Sequence, residues 1–431
     1  MKERAFWIWV LPVFLGVALL WGVLGSGGAP VSAAGDREIY KNLKTFNEVL
    51  DIVDKNYVEE IDPGKALEGA IQGMIRSLDP HSVYLTPEMY RELQVDTKGV
   101  FGGLGIEITM KNDILTVVSP IEGTPAFLAG IKSDDQIVAI DGAPTQGMNI
   151  MEAVRRLRGP KGSQVTISIL REGFDKPRDY TVTRDVIKIR SVRHEVMDAD
   201  IWYLRISSFN ENTLDEVSKA RDGMMKQNGS PKGLVLDLRS NPGGLLDQAV
   251  YVSDMFLKEG KIVSTKGRIP SSDKVYEARD DGDEVACPMV VLINRGSASA
   301  SEIVAGALRD NGRALLVGTQ TFGKGSVQAI IPLNDGSAIK LTTAKYYTPK
   351  GTSIQATGID PDVVVEFEKK EKNGEENKDR IIREKDLEGH LVGEEGEKEP
   401  GAAVTKPRDN QLQYALDLLR SWDVFGKMSS R

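Results

Sequence analysis

Residues 294–328 read NRGSASASEIVAGALRDNGRALLVGTQTFGKGSVQ. An apolar, β-rich run from Pro288 to Ile293 leads into a turn of small residues, Gly296-Ser297-Ala298-Ser299-Ala300-Ser301. Ile303, Ala307 and Leu308 then recur at helical spacing until Asn311-Gly312 stops them. A second apolar run, Ala314 to Val317, precedes a lysine held between two glycines, Thr321-Phe322-Gly323-Lys324-Gly325. Strand, sharp turn and helix together hold a serine hydroxyl at a strand end beside a helix N-terminus. The glycines around Lys324 let backbone approach closely and leave the ammonium unshielded.

A turn of serine and alanine can also be simple close packing. A nucleophilic serine needs a base, and histidine is the usual one. The chain has three: His390 lies in a charged tail, and neither His81 nor His194 sits in a glycine-rich or turn context. Lysine serves instead when burial lowers its pKa from ~10.4 toward neutrality. Lys324 follows a strand and is surrounded by small or apolar residues, which suits that requirement.

The motifs SASASEI, LVG and TFGKG-x-VQ, in this order, resemble the carboxy-terminal processing (tail-specific) proteases, serine endopeptidases with a Ser-Lys dyad. The resemblance covers roughly residues 40–366. It implies Ser299 as nucleophile, Lys324 as general base and Gln328 as the residue that orients the lysine amine. Ser297 and Ser301 become turn and helix-cap residues. The implied fold is α/β, in an α+β multidomain chain: a crotonase/ClpP-like protease core with an inserted PDZ domain and helical N- and C-terminal regions.

Composition is consistent with this. A chain of 431 residues holds about two to three domains. The net charge of −8, with no basic segment, argues against a nucleic-acid partner. The lone Cys287 excludes an internal disulfide framework and opens an apolar strand, where it reads as a buried small hydrophobe. No metal-ligand spacing appears, so neither metal nor cofactor is expected.

In chain order, residues 1–35 read as a targeting segment. Lys2 and Arg4 precede an uncharged run from Ala5 to Gly28 and a small-residue end. It is either a cleaved secretory signal or a retained membrane anchor, and both place the body outside the cytoplasm, in a periplasmic or similar compartment. Residues 36–96 read as helical, with Ile39, Leu43, Phe46, Leu50 and Val53 forming a stripe. Asp62-Pro63 starts a second helix. In some members of the family this region helps form a dimer, so a homo-oligomer is expected. An activating adaptor is a further partner that the family admits.

Residues 97–185 resemble a PDZ domain. Phe101-Gly-Gly-Leu-Gly-Ile-Glu-Ile108 reads as a carboxylate-binding loop and the strand after it, with Leu104, Gly105 and Ile106 as the binding residues. Gln136-Ile-Val-Ala-Ile-Asp-Gly142 is strand then turn. Asn149 with Glu152 caps a helix whose Met151, Val154 and Leu157 line a peptide groove. The implied ligand is the apolar C-terminus of a protein.

Residues 186–366 form the protease core. Gly233-Leu-Val-Leu-Asp-Leu-Arg239 reads as a buried parallel strand, with Asp237 and Arg239 a structural pair. Ser240-Asn-Pro-Gly-Gly244 follows and exposes N–H groups at a helix start. The resemblance places the oxyanion hole on the N–H of Gly243 or Gly244 together with that of Ala300. Lys261 to Glu284 reads as a solvated excursion from the sheet, and Asp310 as a helix-terminal contact. Residues 367–408 read as a charged linker, and 409–431 as an amphipathic helix expected at a subunit contact. An inert PDZ scaffold of the cell envelope and an acyl-CoA enzyme on the crotonase-like fold are the competing readings. Intact Ser299, Lys324 and Gln328 stand against the first, and the PDZ domain and export segment against the second.

Overall fold

The computed structural model describes residues 33–111, 113–197, 200–282, 284–368 and 409–429. The targeting segment expected at 1–35 and the linker expected at 367–408 fall almost wholly outside these residues. No helix among them is long and apolar enough to cross a membrane. The chain divides into two compact units, Met1–Gly73 and Met74–Arg431.

The first unit holds α1 (Ala33–Asn56) and nearly all of α2 (Pro63–Arg76). Asp62 Oδ1 accepts the N–H groups of Gly64 at 2.9 Å and Lys65 at 3.3 Å, and Pro63 fills the first helical position, where no N–H partner exists. The α1 stripe is present, and Ile39, Leu43, Phe46 and Val53 are exposed along it.

The second unit departs at once from the helical expectation for 36–96. β1 (Val83–Leu85) precedes α3 (Pro87–Lys98) and buries Tyr84 and Leu85. Three residues carry no readable period, and β1 exists because it pairs with residues 338–340.

β2 (Val100–Gly103) opens the PDZ module. β3 (Ile106–Lys111), β4 (Ile114–Pro120), β5 (Gln136–Ile140), α4 (Ile150–Leu157), β6 (Gln164–Leu170) and β7 (Arg178–Thr183) follow. β8 (Asp185–Lys188) returns antiparallel to β2 and closes the module. The sheet runs β3-β4-β5-β6-β7, which leaves β3 at an edge. Alternate residues of β6, Val165, Ile167 and Ile169, enter a core with Leu104, Val117, Ile137, Ile140 and Leu157. Asn149 Oδ1 accepts the Glu152 N–H at 2.9 Å and caps α4.

The remaining elements build the protease half. They are β9 (Val192–Met197), β10 (Ile201–Ile206), α5 (Thr213–Asn228), β11 (Gly233–Asp237), α6 (Leu246–Asp254), β12 (Lys261–Gly267), β13 (Lys274–Glu277), β14 (Met289–Ile293), α7 (Ala300–Asp310), β15 (Leu315–Gly318), β16 (Ser326–Pro332), β17 (Ala338–Tyr347), β18 (Val363–Val364) and α8 (Asn410–Ser429). One sheet runs β9-β10-β11-β14-β15-β18, antiparallel at β9–β10 and parallel beyond. Its central strands are apolar at every position but Asp237 because both faces are covered. Leu234, Leu236, Met289, Val291 and Ile293 face the core under α5–α7, while Val235, Val290 and Leu292 face α8.

A second, antiparallel sheet runs β1-β17-β12-β13, with β16 on β17. β12 corrects the expectation of a solvated excursion. Its Ile262 and Val263 are fully buried, and its end pairs with β17 from Ser264↔Tyr347 to Gly267↔Ala344. Two apolar residues in a polar stretch give no period, so the strand shows only through its partner.

α8 also departs from expectation. It docks on its own chain rather than waiting for a subunit contact: Ala415, Leu416 and Leu419 pack on Ile201, Val235, Val290 and Leu292. Arg239 fixes the dock, donating to both oxygens of Asp237 and both of Asp409, all at 2.7–2.9 Å. Burial opposes ionisation of Asp237, but hydrogen bonds from Arg239 and Tyr203 outweigh it and hold the carboxyl below the usual range. Asp237 and Arg239 are the structural pair expected.

Candidate active site

β14 ends at Ile293 and α7 begins at Ala300, so the serine turn has six residues in which to reverse the backbone. The hydroxyls on either side of Ser299 are already engaged. Ser297 Oγ donates to Leu238 O at 2.8 Å and accepts the Asn294 N–H at 3.0 Å. Ser301 Oγ donates to Asn241 O at 2.9 Å. Ser299 sits between them at the head of α7 with φ 55° and ψ −113°, a conformation that side chains seldom adopt.

Ser299, Lys324 and Gln328 line one cavity of about 600 Å³. Its walls include Gly243, Gly244, Leu245, Val327, Ile330 and Tyr346. His81 and His194 do not line it, and His390 lies outside the described residues.

The residue that joins the two halves of the site is Glu302, which the sequence reading passed over. It is fully buried. Oε2 accepts the Ser299 N–H at 2.7 Å and the Lys324 N–H at 2.9 Å. The two backbone nitrogens therefore lie no farther apart than the sum of those distances. Oε1 accepts the Gly323 N–H at 2.8 Å and the Thr321 hydroxyl at 2.5 Å. Burial pushes the carboxyl up to about 7, against the pull of these four hydrogen bonds. From below, the loop is held by Gln355, whose Oε1 accepts the Gly325 N–H at 3.0 Å, while Ala356 N–H donates to Gly323 O at 2.8 Å.

The glycine motif approaches the serine turn from β11. A Cβ on Gly243 would stand 2.9 Å from Ser299 Cβ and 3.0 Å from Ala300 N, and one on Gly244 would stand 2.0 Å from Phe209 O. Both glycines have positive φ, 101° and 143°. Asn241, fully buried and also unmarked in the sequence reading, holds the motif in place. Its Nδ2 donates to Ile206 O at 2.9 Å, its Oδ1 accepts the Gly243 N–H at 2.9 Å, and its carbonyl accepts Ala298 N–H and Ser301 Oγ. With the Gly243 N–H engaged, the N–H groups of Gly244 and Ala300 are left without an acceptor among the described residues. Gln328 donates from Nε2 to Ser326 Oγ at 2.7 Å, leaving its oxygen as an acceptor.

A protein named carboxy-terminal-processing protease, from Bartonella bacilliformis, is 47% identical over 399 residues, covering 90% of this chain and 91% of its own. The chain belongs to the carboxy-terminal processing proteases. Residues 200–365 match the family described as Peptidase family S41, 102–182 the PDZ domain, and 28–89 the N-terminal domain of the activating protease CtpB. The carboxy-terminal processing protease CtpA of Bacillus subtilis is 37% identical, covering 84% of this chain and 77% of its own. Among solved structures, the photosystem II D1 C-terminal processing protease aligns at 32% identity and a TM-score of 0.43, over 74% of this chain and 92% of that one. This protein is thus a serine protease with a PDZ domain.

In this protease Asp310 lies a helix length from Ser299, where its buried carboxylate accepts the Lys350 N–H at 3.2 Å, as expected of a helix-terminal contact. The PDZ groove is a small cleft of about 90 Å³ lined by Leu104, Gly105, Ile106, Ile108, Val154 and Leu157. Met151 does not line it and is exposed. Gly105, at φ 75°, leaves Thr124 against its Cα, with no room for a side chain.

Glu302→Gln should lower kcat about 100-fold, because every partner of Glu302 donates and the new amide must aim an NH₂ at two of them. Peptide kinetics and thermal unfolding check this, and wild-type kcat would contradict it. The pH dependence follows with its sign. Between the ordinary carboxylate range and about 7 the folded state keeps a proton that the unfolded chain has lost, so Glu302 makes stability fall as pH rises through that window.

Proposed function

We propose that this protease cuts protein substrates near their C-termini, with Ser299 as nucleophile and Lys324 as general base. The observation that carries the reading is the shared oxygen of Glu302, which binds the backbone of both residues at the edge of one cavity. Neutral Lys324 takes the hydroxyl proton as Ser299 Oγ adds to the scissile carbonyl carbon. The carbonyl oxygen becomes an oxyanion, which the N–H groups of Gly244 and Ala300 receive. The protonated lysine then gives its proton to the leaving amine. Water, deprotonated by the Lys324 amine, adds to the acyl carbon, the bond to Ser299 Oγ breaks, and the lysine returns the proton to that oxygen. Gln328 orients that amine through its side-chain oxygen. Activity rises into the alkaline range, since the base must be deprotonated.

The PDZ domain receives the substrate terminus. Leu104 and Gly105 offer N–H groups with no acceptor among the described residues, and the β3 edge accepts an extended chain. A route to the active site supports gating by the bound tail. Asn212 and Glu211 bond to Lys98 and Thr97 just before β2, and Phe209 bonds to Gly243 and Leu245. Leu245, Leu246 and Val327 in the cavity wall favour an apolar residue at one position beside the scissile bond. The exposed α1 stripe supports association with a second copy of the chain, and the basic, apolar start supports export across a membrane.

Amidating the C-terminus of an unstructured substrate should lower kcat/KM about tenfold, by removing the charge that the PDZ N–H groups receive. Equal turnover of free and amidated substrates would remove tail recognition from the reading.

A further inference from the structure

A second lysine lines the cavity that holds Ser299. Lys340 lies in β17, opposite Ile330 of β16 and Val83 of β1. Opposed residues of antiparallel strands project to one face, as do residues two apart on a strand. Lys340, Ile330 and Gln328 therefore share a face, and all three line the cavity. Strand geometry puts Lys340 diagonally beside Gln328, roughly 7 Å away between backbones.

The ammonium of Lys340 has no ion pair and no hydrogen bond among the described residues. The two carboxylates of the cavity, Asp96 and Asp247, do not reach it. Half-burial between Val83 and Ile330 disfavours its charge, and nothing among the described residues compensates. An aliphatic side chain would pack there without that penalty. What completes the site must come with the ligand, and the ligand of this cavity is a polypeptide. The group on a polypeptide that complements an ammonium with full charge is a carboxylate.

We propose that Lys340 is a specificity-determining residue, whose ammonium receives a carboxylate of the bound polypeptide close to the scissile bond. The proposal rests on Ser299 being the nucleophile of this cavity. The carboxylate is either an acidic side chain or the terminus of the substrate.

The test compares peptides carrying Glu or Gln at successive positions around the scissile bond, each free and amidated. At one position Glu should exceed Gln by about tenfold in kcat/KM, between the small worth of an exposed pair and the larger one of a desolvated pair. That ratio should fall to near one in Lys340→Met, persist in Lys340→Arg and invert in Lys340→Glu. A preference that instead appears only between free and amidated peptides, and vanishes in Lys340→Met, identifies the terminus as the source. Identical ratios in wild type and Lys340→Met, with cleavage still abolished by Ser299→Ala, overturn the proposal alone. Hydrolysis that survives Ser299→Ala overturns the reading of the cavity and the proposal with it.

Discussion

Lys324→Arg should abolish peptide hydrolysis at every pH the fold survives, a loss of about 10⁴-fold. Arginine keeps the charge and the approximate length but cannot deprotonate in a protein, so it cannot accept the Ser299 proton. The loop itself should survive the change. Its anchors are backbone groups: Gly323 and Lys324 N–H to Glu302, and Gly325 N–H to Gln355. A fall in activity therefore reports the missing base and not a collapsed loop, and unchanged thermal unfolding would separate the two. With His81 and His194 away from the cavity, no imidazole among the described residues can substitute. An active Lys324→Arg variant would remove lysine from the mechanism.

Gly243→Ala should lower kcat by about 10²–10³-fold, the range seen on losing an oxyanion donor. The added methyl would meet Ala298 O at 2.7 Å, Ser299 Cβ at 2.9 Å and Ala300 N at 3.0 Å. It would occupy the space beside Ser299 and Ala300 that the proposed oxyanion hole needs, and it would have to adopt a φ of 101° that alanine resists. Binding of a tail peptide to the PDZ domain should persist, since Leu104 and Ile106 belong to a separately packed core. Loss of kcat with tail binding intact is the expected signature, and wild-type kcat would contradict the placement of the hole.

The parts of this protein legible in sequence are those whose signal is local. Gly233 to Leu236 is apolar throughout because α5–α7 and α8 cover both faces of its sheet. The Ser299 turn and the glycine-flanked Lys324 are legible because each is a short local run of small residues around one reactive group. What escaped reading depends on distant partners. Glu302 looks like an ordinary acid in the first turn of a helix, and its other partners are 19–22 residues away. Asn241 gains meaning only from Ile206 and Ser301, 35 and 60 residues off. The docking of α8 turns on Arg239 and Asp409, separated by 170 residues. β12 lies in polar sequence and is a strand because β17 is there to pair with it.

The central claim is that the Lys324 amine activates Ser299. The rate at which a fluorophosphonate labels Ser299, followed by intact mass across pH, tests it without a substrate or a tail. The account predicts a rate that climbs with a single ionisation, survives replacement of all three histidines, and disappears in Lys324→Arg. Labelling of Ser299 at the wild-type rate in Lys324→Arg would contradict it.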